Sequence, residues 1–158
     1  MKILARFAML VSACLFAFSL NGETLVWTGE AGNIEWSDKL NWSPEKQPAT
    51  GDRVVFNPGA DQSLTVHVSI PGGYAQIGDI EVQSGNVSFY GAAIYMHGLS
   101  SKEHEIRVHE GATLSVTNQL VTWTNDKLHS IHKRGLGVYE MRWHFGLNAN
   151  PQQEKLPQ

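Results

Sequence analysis

Cysteine is almost missing from this chain. The single one, Cys14, lies near the N-terminus inside an apolar stretch, so removal of that stretch leaves no thiol and no disulfide. Small secreted domains are usually dense in disulfides, and their absence fits a bacterial surface or periplasmic protein better. Charge is scarce as well. Charged residues make up 17% of the 158 and the net charge is −3, which excludes the basic stripe of a nucleic-acid binder. With 42% hydrophobic residues the chain is still well supplied for one packed domain and is not disordered throughout. No stretch after residue 22 keeps a 3.6-residue apolar period over three turns, which excludes a helical bundle. The longest apolar run, 7–18, is too short to cross a bilayer comfortably.

That run has a different use. Lys2 and Arg6 precede it, and Ala17 and Ser19 are small residues suited to cleavage after Ser19, with Gly22 as a second candidate. Residues 1–22 therefore read as a secretory signal peptide, and the expected location is secreted or cell-surface. The segment Val11-Ser12-Ala13-Cys14 also resembles a lipoprotein cleavage box, so membrane contact is expected only during export or through a lipid on Cys14.

The mature part opens on a block at 26–56 that holds three of the five tryptophans, Trp27, Trp36 and Trp42. Turn formers lie between them, Gly29, Gly32, Asn33, Ser37, Asp38 and Asn41, and Pro44 and Pro48 follow. Tryptophan buries a large apolar surface, so the block reads as an aromatic cap held by loops, with Trp36 and Trp42 pointing inward. Beyond it come short runs that read as strands, 53–56, 64–70, 77–83, 86–90, 93–96, 105–109, 113–117 and 120–124, of which 64–70 alternates cleanly with period 2. The chain is all-β.

A repeat runs through these strands. Val54-x-Phe56-x-x-Gly59, Ile80-x-Val82-x-x-Gly85 and Ile106-x-Val108-x-x-Gly111 share one pattern, and Gly59, Gly85, Gly111 and Gly137 fall 26 residues apart. One solenoid coil per period would give two inward apolar residues and then a tight turn where glycine takes a positive φ. A meander of hairpins is the other arrangement that places glycine between short strands. In the fourth copy His132 and Arg134 stand where the apolar pair belongs. The organisation expected is a signal peptide at 1–22, a β-helix or solenoid-like stack at 23–137 with its Trp-rich cap, and a degenerate segment with a polar tail at 138–158.

The motifs Trp27-Thr28-Gly29, Trp36-Ser37-x-x-x-Asn41-Trp42 and Pro48-x-x-Gly51-Asp52-x-Val54-x-Phe56 resemble the opening of the autotransporter-associated β-strand repeat proteins. The likeness covers about residues 24–120. It implies a passenger-like β-helix of structural or adhesive type, non-catalytic, whose structural motif is Trp27, Gly29, Trp36, Asn41, Trp42, Gly51, Asp52, Phe56, Gly59, Gly85 and Gly111. The fading of the pattern after Gly137 suggests an N-terminal fragment of a longer passenger, open to self-association through its C-terminal end.

Chemistry finds little support. The zinc motif HExxH, an EF-hand loop, a glycine-rich phosphate loop and the serine-nucleophile motif GxSxG are missing, so no catalytic, cofactor or metal residue is assigned. His129-x-x-His132 would meet only on a helix; His104 and His109, five apart on a strand, fall on opposite faces; the histidines read as surface residues. Asp38, Asn41 and Asp52 could hold calcium but more commonly form and cap turns. Glu103 and Glu105 beside His104 read as a solvated loop. The second function class is a glycan-binding module, or a fragment of a polysaccharide-active protein, with Trp36 and Trp42 as sugar-stacking contacts and cell-surface polysaccharide as the partner.

Overall fold

The structure, a computed structural model, describes residues 22–97, 103–122 and 130–141. Residues 1–21 of the expected signal peptide with Cys14, Trp123, His129 and the tail beyond Met141 lie outside the described residues.

Two strands come from the cap block, β1 (Thr24–Trp27) and β2 (Trp42–Ser43). The first coil is then β3 (Arg53–Phe56), β4 (Ser63–Val68) and β5 (Tyr74–Ile77). The second is β6 (Asp79–Val82), β7 (Asn86–Gly91) and β8 (Ala93–Met96). The third is β9 (Glu103–Val108), β10 (Thr113–Val116) and β11 (Leu120–Thr122), and a fourth supplies β12 (Ser130–Arg134) and β13 (Val138–Met141). Corresponding strands of successive coils pair in parallel to give three sheets, ordered β12-β9-β6-β3-β1-β2, β13-β10-β7-β4 and β11-β8-β5. The chain is a β-solenoid, and the hairpin meander is ruled out: among the described residues the one antiparallel pair is β1 with β2.

The alternation seen in the sequence explains the stack. Val54 pairs with Ile80 and Ile80 with Ile106, a step of 26 residues, and all three point into the core. Val87 sits beneath Leu114, and Ala75, Ile94 and Leu120 form a further column. A single coil cannot cover its own inward residues; each is buried by the coils on either side.

Three expectations need correction. The run at 77–83 is not one strand. It breaks at Gly78, a corner between sheets where a Cβ would lie 2.6 Å from the carbonyl oxygen of Gly51. Gly59, Gly85 and Gly111 take positive φ as expected (109°, 68° and 76°), but in the fourth coil that role passes to Gly135 at 82°. Gly137 is needed for space instead: a Cβ there would lie 2.1 Å from the carbonyl oxygen of His109. Third, the fourth copy is degenerate as expected, but the residue that breaks the inward apolar pair is Lys133, opposite Ile106, and not His132 or Arg134. β12 is shifted by one residue, so that Ile131 pairs with His104 and Lys133 with Ile106. A one-residue shift exchanges the faces of a strand, which turns His132 and Arg134 outward. β13 also carries the stack past 137, with Tyr139 paired to Leu114 and packed against the core.

Candidate functional site

The cap is assembled by rings meeting edge to face. Trp42 lies 5.0 Å from Trp27 at 88° and 5.0 Å from Trp36 at 71°, and Phe56 and Phe89 continue the cluster into the first two coils. Such pairs favour T-shaped packing because the ring edge is positive and the face negative. Trp36 and Trp42 are 0% and 1% exposed. Neither offers a ring face to a sugar, so the glycan contact expected of them does not stand. Trp42 Nε1 donates to the carbonyl of Trp36 at 2.9 Å; Trp36 Nε1 has no acceptor among the described residues.

Buried polar side chains hold the cap loops in place. Asn41 donates to Asn33 Oδ1 at 2.8 Å and to the Glu35 carbonyl at 3.0 Å, and accepts from the Ala31 amide. Asp38 caps the short 3-10 turn Lys39–Asn41 by accepting from the Leu40 amide at 3.0 Å. Asp52, 3% exposed, accepts the amides of Glu23 and Ala49 and pairs with Lys46 at 3.0 Å. Gly29 and Gly51, both at positive φ, turn the chain on either side. Asp38, Asn41 and Asp52 thus serve as turn and backbone anchors. Among the described residues no three His, Cys, Asp or Glu side chains gather into a metal-sized cluster.

A latch ties the cap to the wall. Glu35 bridges to His67 on β4: the Trp36 amide donates to the His67 carbonyl and the His67 amide to the Ile34 carbonyl. The Glu35 carboxylate meets His67 Nδ1 at 3.1 Å, and the imidazole stacks on Tyr90 with centroids 4.6 Å apart. A hydrogen bond from Ser69, then the one from His67, holds the Glu35 carboxyl below its ordinary range.

The outer wall of the first sheet is a ladder of charges. Arg53 reaches Asp79 at 3.3 Å and Glu81 at 3.4 Å, and His109 reaches Glu81 at 2.9 Å. One coil further, Arg107 and Arg134 both engage Glu105 through Nε, the second at 3.2 Å. The Arg107 hydrogen bond keeps the Glu105 carboxyl below its ordinary value, and Glu105 in turn raises the Arg107 guanidinium. Glu103 and Glu105 are not in a solvated loop but on β9, where Glu105 faces outward while His104 is 2% exposed and turned inward. His104 is thus not a surface histidine; His109, on the opposite face, is. Sequence reading missed this ladder because its members are spread over four coils; only the stacking of one coil on the next brings them together.

Beside the ladder, where the third and fourth coils turn into the second sheet, lies an open depression of about 600 Å³ lined by Arg107, His109, Glu110, Arg134, Gly135 and Leu136. No family model, curated protein or solved structure matches the chain.

Proposed function

We propose that the chain is a non-catalytic, exported bacterial surface or secreted protein of structural or adhesive type. It would be a β-solenoid segment of the kind found in autotransporter-associated β-strand repeat passengers. The observation that carries this reading is the use made of the motif residues. Trp36, Trp42, Asn41 and Asp52 are buried and spent on closing one end of the stack, so the surface presented is the outer wall of repeated coils. Repeat stacks of this type offer long, regular walls on which contacts are distributed. Self-association along the stack and contact with cell-surface polysaccharide are the partners that such a wall suits.

The test is expression from the native start codon in a Gram-negative host, followed by fractionation and mass spectrometry of the N-terminus. A mature chain beginning near Leu20 or Glu23 and digested by proteinase added to intact cells is the expected outcome. A cytoplasmic pool that keeps Met1 or Lys2 would overturn the reading of an exported protein.

A further inference from the structure

We propose that the fourth coil closes the core with a polar lid: Lys133 takes the inward place of a core residue and keeps a second copy of this chain from pairing end-on with β12. The proposal goes beyond the surface role, does not depend on export, and confines contacts between copies to the side walls.

The last coil tapers the core instead of repeating it. Val54, Ile80 and Ile106 form one inward column, each no more than 1% exposed. The next place in that column belongs to Lys133, the register partner of Ile106. The neighbouring column, Phe56, Val82 and Val108, ends without a side chain. Gly135 passes so close above it that a Cβ there would lie 2.0 Å from the Val108 carbonyl oxygen, and the Gly137 amide donates to that same oxygen at 3.0 Å. A lysine stem can cover the apolar surface beneath it while its charged head stays out of the core. Here the head is held in place. The Lys133 ammonium donates to the carbonyls of Gly135 at 2.7 Å and Gly137 at 2.9 Å, across the turn between β12 and β13.

Strand geometry says what this lid guards. Among the described residues β12 is the last strand of its sheet. Its register with β9 turns the main-chain groups of Ile131 and Lys133 away from β9, toward the edge where another strand would add. An unguarded edge is a template for pairing with another chain, and an inward-pointing charge is one of the devices by which native sheets prevent it. The opposite end of the stack carries the tryptophan cap, so end-on pairing between copies would set β12 against β12. The Lys133 ammoniums of both copies would then be buried between two apolar cores, like charge near like charge. Burying a charge without a counter-charge is strongly unfavourable.

Sedimentation velocity of the mature protein over a wide concentration range tests this. Lys133→Ile extends the apolar column by one residue and should associate at concentrations at least about tenfold below any association of wild type, a small part of what burying a charge costs. Lys133→Arg keeps the charge and should behave as wild type does. His132→Ile adds the same apolar group to the outward face of the same strand and should also behave as wild type does. In the associated Lys133→Ile protein, hydrogen exchange should slow at the main-chain amides of positions 131 and 133. In the unmodified protein, exchange at those two amides should not change with concentration, a readout that needs no variant to fold. The proposal is overturned if folded Lys133→Ile associates no more than wild type, or if His132→Ile associates as strongly. Protection of the wild-type edge amides at high concentration would overturn it as well. Each of these results leaves the surface role standing, and cytoplasmic retention of the chain would leave the lid standing.

Discussion

The indole N–H of Trp42 donates to the main-chain carbonyl of Trp36 across 2.9 Å, and both residues are buried. The contact joins two of the three cap tryptophans and gives a buried carbonyl its partner. Trp42→Phe keeps a ring but removes the donor, and the orphaned carbonyl should cost about 1–3 kcal/mol. Trp36→Ala empties the centre of the cluster and should cost about 3–5 kcal/mol. Urea melts of the mature protein check both; a Trp42→Phe variant as stable as wild type would remove the cap from the list of stabilising features.

Turn glycines should differ in a defined order. Gly111 takes φ of 76° with nothing within 4 Å of a would-be Cβ, so Gly111→Ala meets only the left-handed backbone cost of about 1–2 kcal/mol. Gly85 has a similar φ, but its Cβ would sit 2.3 Å from the Gly59 carbonyl oxygen and 2.7 Å from that of Gln62. Gly85→Ala must therefore push two coils apart as well, and its melting temperature should fall further than that of Gly111→Ala. The reverse order would show that the inter-coil fit at Gly85 has been misjudged.

Acid should loosen the molecule at the cap and at the ladder. Glu35 is held low by the bonds from Ser69 and His67, Asp38 by Asn33 and then the Leu40 amide, and Glu105 by Arg107. A carboxyl whose folded pKa lies below its unfolded one contributes stability above the unfolded value, about 4, and loses it as pH falls through the folded value. Denaturant midpoints should thus hold near neutrality and fall as pH drops below the ordinary carboxylate range. Glu35→Gln and Glu105→Gln should flatten that dependence. A midpoint that rises on acidification would contradict the sign.

Tyr139 gives the alkaline counterpart. Burial against the core raises its hydroxyl to about 12 from 10.0. The native state keeps a proton that the unfolded chain gives up, so stability is intact below the unfolded value and falls between the two. Ultraviolet titration should show a late-ionising tyrosine step that is absent in Tyr139→Phe. Ionisation of all tyrosines together near the unperturbed value would place Tyr139 in solvent.

Much of the fold was written in the sequence because its signals are local. The period-2 alternation at Ile80–Val82 and Ile106–Val108, the turn glycines and the clustering of Trp27, Trp36 and Trp42 each follow from neighbours in the chain. The rest depends on the distance between coils. The corner at Gly78 shows in the sequence only as a change of phase between Ile77 and Ile80, and what demands glycine there is the Gly51 carbonyl packed against it. The shift that puts Lys133 over Ile106 needs one extra residue between Thr122 and Ser130, invisible to a fixed 26-residue count. The wall was illegible for the same reason: Arg107, Arg134 and Glu105 are ordinary polar residues until the strands are laid side by side.

The central claim is that like strands of successive coils stack in parallel beneath a closed aromatic cap, the architecture on which the proposed surface role depends. Methyl and amide nuclear Overhauser contacts in the labelled mature protein test it most directly. Contacts from Val54 to Ile80, from Ile80 to Ile106 and from Val87 to Leu114 are predicted, together with ring contacts joining Trp36 to Phe89. Antiparallel contacts between β6 and β7, in place of those between β6 and β9, would mean that the strands form a hairpin meander and that no solenoid wall exists.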